Sequence, residues 1–149
     1  MNDNYPNPWD FSNADKNLTS NDGQFRIEFG ELNEIGMGAP IGGKCFLVTN
    51  TNDKILLNQW CGGPILWETR SNKVVLPIWT RKFLKGTVQQ IAIADLDTRT
   101  LTTYSQTFRV LDLRTFDDKN IYGYDSPIYK TKTLSLDISR MKIDKTIKF

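Results

Sequence analysis

The sequence predicts an all-β protein. Antiparallel sheets of short hairpins are expected, arranged as a β-sandwich or an open propeller-like array, with little helix. Three observations carry this reading. Strand-favouring residues are abundant: 15 Thr, 13 Ile, 8 Phe, 5 Tyr and 4 Trp, against only 4 Ala and 4 Glu, and β-branched and aromatic side chains fit a pleated surface better than a helix. Turn formers are plentiful, with 12 Asn and 13 Asp placed mostly between apolar runs, where their side chains bond the local backbone. The apolar runs are only a few residues long, too short for a membrane span or a long helix.

The elements follow in order. Ser20-Asn21-Asp22-Gly23 reads as a turn, and residues 24–29 then alternate apolar and polar as a half-buried strand. Residues 45–48 form a strand, Thr49 to Asp53 a polar turn, and residues 54–60 the returning strand. Cys61-Gly62-Gly63-Pro64 is a further turn before a short strand at 65–67, and Ser71-Asn72-Lys73 opens a strand at 74–79. Residues 90–94 and 101–104 flank the turn Asp95 to Arg99, and 108–113 continue as strand. Asp117-Asp118-Lys119-Asn120 leads into 121–124, and residues 128–138 are a last clear β run. Met141, Ile143, Ile147 and Phe149 partly alternate with polar residues, which fits an edge strand. The whole, 1–149, is expected to be one β-rich domain, with segment 1–20 packed on the sheet and Trp9 as its staple. Phe25, Ile27, Phe29, Phe46, Val48, Trp60, Trp67, Leu76, Ile91, Ile93, Val110 and Leu113 are the expected core, with Trp79 beside them.

The turn-then-strand pattern of Asp22-Gly23-Gln24-Phe25, Ser71-Asn72-Lys73-Val74 and Asp118-Lys119-Asn120-Ile121 recurs at similar spacing. It resembles blades of WD- or Tol-type β-propellers, whose four-stranded sheets stack on copies of themselves. The signature His and Trp-Asp of WD blades are not at blade positions, and three blade starts are too few for closure. The resemblance therefore implies propeller-like hairpins in an open or two-sheet arrangement.

Several chemistries are excluded or disfavoured. The chain has no histidine, which removes imidazole acid–base catalysis and the Ser-His-Asp and Cys-His arrangements. Gly38 to Lys44 has the phosphate-loop spacing, but Cys45 stands where Ser or Thr should hold Mg²⁺, and a strand rather than a helix is expected to follow. The pairs Asp95/Asp97 and Asp117/Asp118 could serve as acid and base, yet both lie in turns, where aspartate serves the backbone. No cofactor and no metal site is expected. Net charge is only +2, too small to favour nucleic acid. No signal peptide is visible, so the cytoplasm is the expected compartment, with Cys45 and Cys61 free and buried.

In general character the chain is similar to small bacterial toxin-immunity proteins: compact, β-rich, without catalytic motifs, and rich in Asn and Lys. That similarity implies a non-catalytic protein that neutralises a toxin by occluding its active site. The alternatives are a histidine-free hydrolase or isomerase using Asp, Lys or Cys, and an accessory β module of a larger assembly. The expected partner is another protein, such as a basic toxin domain, with no membrane role and no preference for nucleic acid. The segment from Thr115 to Tyr129 is the candidate partner-binding site. There Phe116, Asp117, Asp118, Tyr122, Tyr124, Asp125 and Tyr129 combine aromatic area with carboxylates that would steer a basic partner. Alternation places Tyr122 and Tyr124 on one face, so they are either both exposed or both core.

Overall fold

A computed structural model describes residues 6–149. Among them run twelve strands: β1 (Phe25–Phe29), β2 (Asn33–Glu34), β3 (Ile41–Thr49), β4 (Lys54–Cys61), β5 (Leu66–Trp67), β6 (Lys73–Lys82), β7 (Gly86–Asp95), β8 (Thr100–Phe108), β9 (Leu111–Asp117), β10 (Asn120–Asp125), β11 (Lys132–Asp137) and β12 (Ile143–Lys148). The only helical pieces there are two single 3₁₀ turns, Lys16–Leu18 and Ile138–Arg140. The fold is all-β, as the composition predicts.

Every strand pairing is antiparallel. Nine strands form one large sheet in the order β1-β3-β4-β6-β7-β8-β12, with β2 added on β3 and β5 on β6. A second sheet has three strands, β11-β10-β9. The large sheet does not close into a barrel. Its hairpins add one after another to a continuous sheet and do not separate into stacked four-stranded blades, so the recurring spacing reflects hairpin length alone.

The centre of the large sheet is buried on both faces. Val74, Leu76 and Ile78 of β6 and Ala92 and Ala94 of β7 join Ile27, Phe29, Cys45, Leu47 and Trp67 on one side. Phe11 and Leu18 of the N-terminal segment seal that side. On the other side, Val75, Ile91, Ile93, Tyr104 and Phe108 meet Leu111, Leu113, Phe116 and Ile121 of the small sheet. Double burial explains why β6 and β7 read as near-continuous apolar runs and β1 as an alternating one. Pro77 sits inside β6 without breaking it. Its carbonyl accepts from Gly62 N at 2.7 Å, so its donor-less nitrogen also faces the gap between β4 and β5 rather than the β7 ladder.

Four of the twelve expected core residues are only partly buried. Phe46 lies under the Lys54 ammonium, 4.7 Å from the ring centre, because Cys45 and Leu47 on either side of it take the inward-facing positions of β3. Trp60 lies beside Trp79 at 6.2 Å, with the Arg81 guanidinium over it. Phe25 opens the edge strand β1, and Val110 lies in the connection between β8 and β9, which sequence alternation ran through as strand. Of the expected run 128–138, only Lys132–Asp137 is strand. Trp9 ties the N-terminal segment through Nε1, which donates to Gly38 O at 3.1 Å. The second half of the phosphate-loop lookalike lies in β3, where a side chain at Gly43 would lie 2.4 Å from Glu31 O. Close backbone approach is the reason for that glycine. Cys45 and Cys61 are buried and unbonded.

Candidate protein-binding face

The small sheet has an inner and an outer face, and a bulge in β9 decides which residue lies on which. Tyr122 pairs with Thr115, but Gly123 pairs with Leu113, leaving Arg114 as the extra residue. A side chain on Gly123 would fall 2.3 Å from Asp112 O, so the bulged backbone closes only against glycine. The consequence reaches Phe116. Strict alternation from Leu111 and Leu113 would send it outward, whereas the extra residue turns it inward.

Phe116 is 1% exposed and belongs to the second core. That corrects its place in the expected binding set: the inward turn removes it from any partner.

The remaining six candidates fall into two groups. Tyr122 and Tyr124 share the outer face and are 43% and 38% exposed. Tyr129 follows in the loop after β10, also exposed, with the Lys130 ammonium 5.5 Å from its ring centre. Asp125 lies at the same end but is occupied by the backbone. Its Oδ1 accepts from the N–H groups of Arg109 and Val110, both at 3.1 Å, and fixes the passage from β8 to β9.

Asp117 and Asp118 sit at the other end of the hairpin, on the order of 15 Å from Tyr124 at the usual rise per residue. Asp118 has a left-handed φ of 54° and donates its N–H to Glu68 Oε1 at 2.8 Å. Asp117 Oδ1 accepts from Thr69 Oγ1 at 2.8 Å. Arg70 and Lys73 line the same cleft. The two carboxylates are thus a stitched turn in mixed charge, separate from the tyrosine face.

Beside Tyr124 lies a groove of about 420 Å³ with Pro8, Trp9 and Ile128 on its walls and Asp112 and Arg114 in its lining. Asp112 Oδ2 accepts from Arg114 Nη2 at 2.7 Å. Asp112 Oδ1 is buried and has no hydrogen-bond partner among the described residues. Burial pushes the Asp112 carboxyl up, against the hydrogen bond and charge of Arg114. The groove therefore combines apolar walls with the Asp112–Arg114 ion pair. Tyr124, Pro127 and Ile128 of its lining fall within the segment that composition singled out, whereas Pro8, Trp9, Asp112 and Arg114 lie outside it. Only the alternation Leu111-Asp112-Leu113 hints that Asp112 faces away from the core.

Among the described residues no helix is long and apolar enough to cross a membrane, and no group of His, Cys, Asp and Glu is placed to hold a metal ion. No protein-family model matches the chain, and neither a curated protein nor a solved structure is detectably similar to it.

Proposed function

We propose that this protein is a non-catalytic binding protein that covers a functional surface of another protein, and that its partner is a toxin domain whose active site it occludes. One observation carries the reading: the outer face of the small sheet presents Tyr122 and Tyr124 beside an apolar groove with the Asp112–Arg114 pair in its lining. Tyrosines on a rigid strand bring large area at small entropic cost, and an apolar pocket with few polar groups suits an anchor side chain.

Binding is favoured over histidine-free catalysis because the displaced carboxylates have structural partners. Glu68 holds backbone N–H groups and Asp112 holds Arg114. The test is to identify what co-purifies at native expression, reconstitute the pair, and assay the partner's activity. Tyr122→Ala with Tyr124→Ala should weaken inhibition by roughly a hundredfold, as loss of two interface anchors does, while the melting temperature holds. Inhibition unaffected by this double change would remove the face from the proposal. A partner whose activity the wild-type protein leaves untouched would remove the neutralising role.

A further inference from the structure

The β6–β7 hairpin ends in a feature that the fold does not need. Phe83 and Leu84 form its tip and are 91% and 90% exposed. The turn is closed by Lys85 N donating to Lys82 O at 3.1 Å. Leu84 has a φ of 68°, a left-handed conformation that is uncommon for a bulky side chain and is met most readily by glycine or asparagine. A large apolar side chain at such a position gains nothing from the core, because it touches none of it.

Around this tip the charge is predominantly positive. Arg81, Lys82 and Lys85 flank it, and Arg109, Lys130 and Lys132 line the cleft beside Lys85. None of these six takes part in an ion pair among the described residues. The one carboxylate in that cleft, Asp125, is engaged by backbone N–H groups. Along the hairpin axis the order is therefore an apolar point first and a cationic collar behind it.

We propose that the β6–β7 tip docks on an anionic phospholipid surface, with Phe83 and Leu84 entering the apolar layer and the surrounding lysines and arginines meeting headgroup phosphates. A bilayer interface offers the complementary order, negative charge outside and hydrocarbon beneath. A convex point of two side chains fits that depth profile better than the flat, aromatic-rich patches through which proteins meet. The absence of a spanning run in the sequence bears on crossing a bilayer, whereas this contact needs only a few ångströms of depth. The apolar point uses neither Tyr122 nor Tyr124, although Lys132 of the collar opens β11 of the small sheet.

The experiment is co-sedimentation of the full chain with vesicles of mixed phosphatidylcholine and phosphatidylserine, and with phosphatidylcholine alone. Binding is expected to the mixed vesicles only, and to fall as salt is raised. Phe83→Ser and Leu84→Gly should each lower the bound fraction by about tenfold, the worth of one lost apolar anchor. Leu84→Gly also relieves the left-handed strain, so its melting temperature should match or exceed that of the parent, which separates docking from folding. Failure of the wild-type chain to sediment with mixed vesicles would overturn the proposal. So would equal binding by the parent and Leu84→Gly, or capture by an acidic protein that mixed vesicles do not displace. None of these outcomes touches inhibition through Tyr122 and Tyr124.

Discussion

Glu68 is almost enclosed, at 3% exposure, and yet stays ionised. Burial pushes its carboxyl up, but the Ser71 side chain and the N–H groups of Asp118, Arg70 and Ser71 outweigh burial and hold it at about 2, below the ordinary 4.5. The linkage sign follows from a depressed folded value. The stabilisation is complete above the ordinary carboxyl range, declines as pH falls below it, and is gone below about 2. Urea midpoints measured across that acid range should fall more steeply in the parent than in Glu68→Gln, which carries no charge to protonate. At neutral pH, Glu68→Ala should cost about 1–3 kcal/mol, because it strips part-buried backbone donors of their acceptor. Ile93, in the second core, gives a second check at this scale. Ile93→Ala should cost about 2–5 kcal/mol in equilibrium unfolding, and a near-neutral result would mean that the face assignment of β7 is inverted.

The bulge in β9 is the element on which the binding face turns. Gly123→Ala sets a methyl against the Asp112 carbonyl, which is backbone and does not yield cheaply. It should cost about 2 kcal/mol or more, read as a lower denaturant midpoint, and should weaken partner inhibition by displacing Asp112 and Tyr124 together. The same bulge marks the limit of what the sequence carries. Strand existence was legible wherever turn chemistry was strong, as at Ser20 to Gly23 and Thr49 to Asp53. Alternation correctly put Tyr122 and Tyr124 on one face. It cannot announce that Arg114 is skipped, and so the inward turn of Phe116, named as a binding candidate for its aromatic area, is not legible in the sequence. The tip at Phe83 and Leu84 was illegible for a related reason. Without Asn, Asp or Pro, and with only Gly86 nearby, the stretch carries little of the chemistry by which turns are recognised. The groove wall at Trp9 and Ile128 depends on contacts far apart in sequence, which no local pattern encodes.

The molecule as a whole should give a strand-dominated far-UV circular dichroism spectrum, with helix content far below the roughly one third of an ordinary soluble protein. Native-state hydrogen exchange should be slowest in β6 and β7, which both cores share, and fastest in β12, whose six residues are all exposed. The connectivity adds a further expectation. β8 and β12 are paired with each other, and the small sheet is the excursion of chain between them. Ser105 N donates to Lys142 O at 2.9 Å at the base of that excursion. The small sheet is thus a ligand tethered at both ends to the surface that it covers. When it lifts from Val75, Ile91 and Ile93 it stays at high effective concentration and rebinds without a search. Its openings should therefore be brief, and force applied by a partner gripping Tyr122 and Tyr124 should be borne by the ladder between β8 and β12 before it reaches the rest of the large sheet.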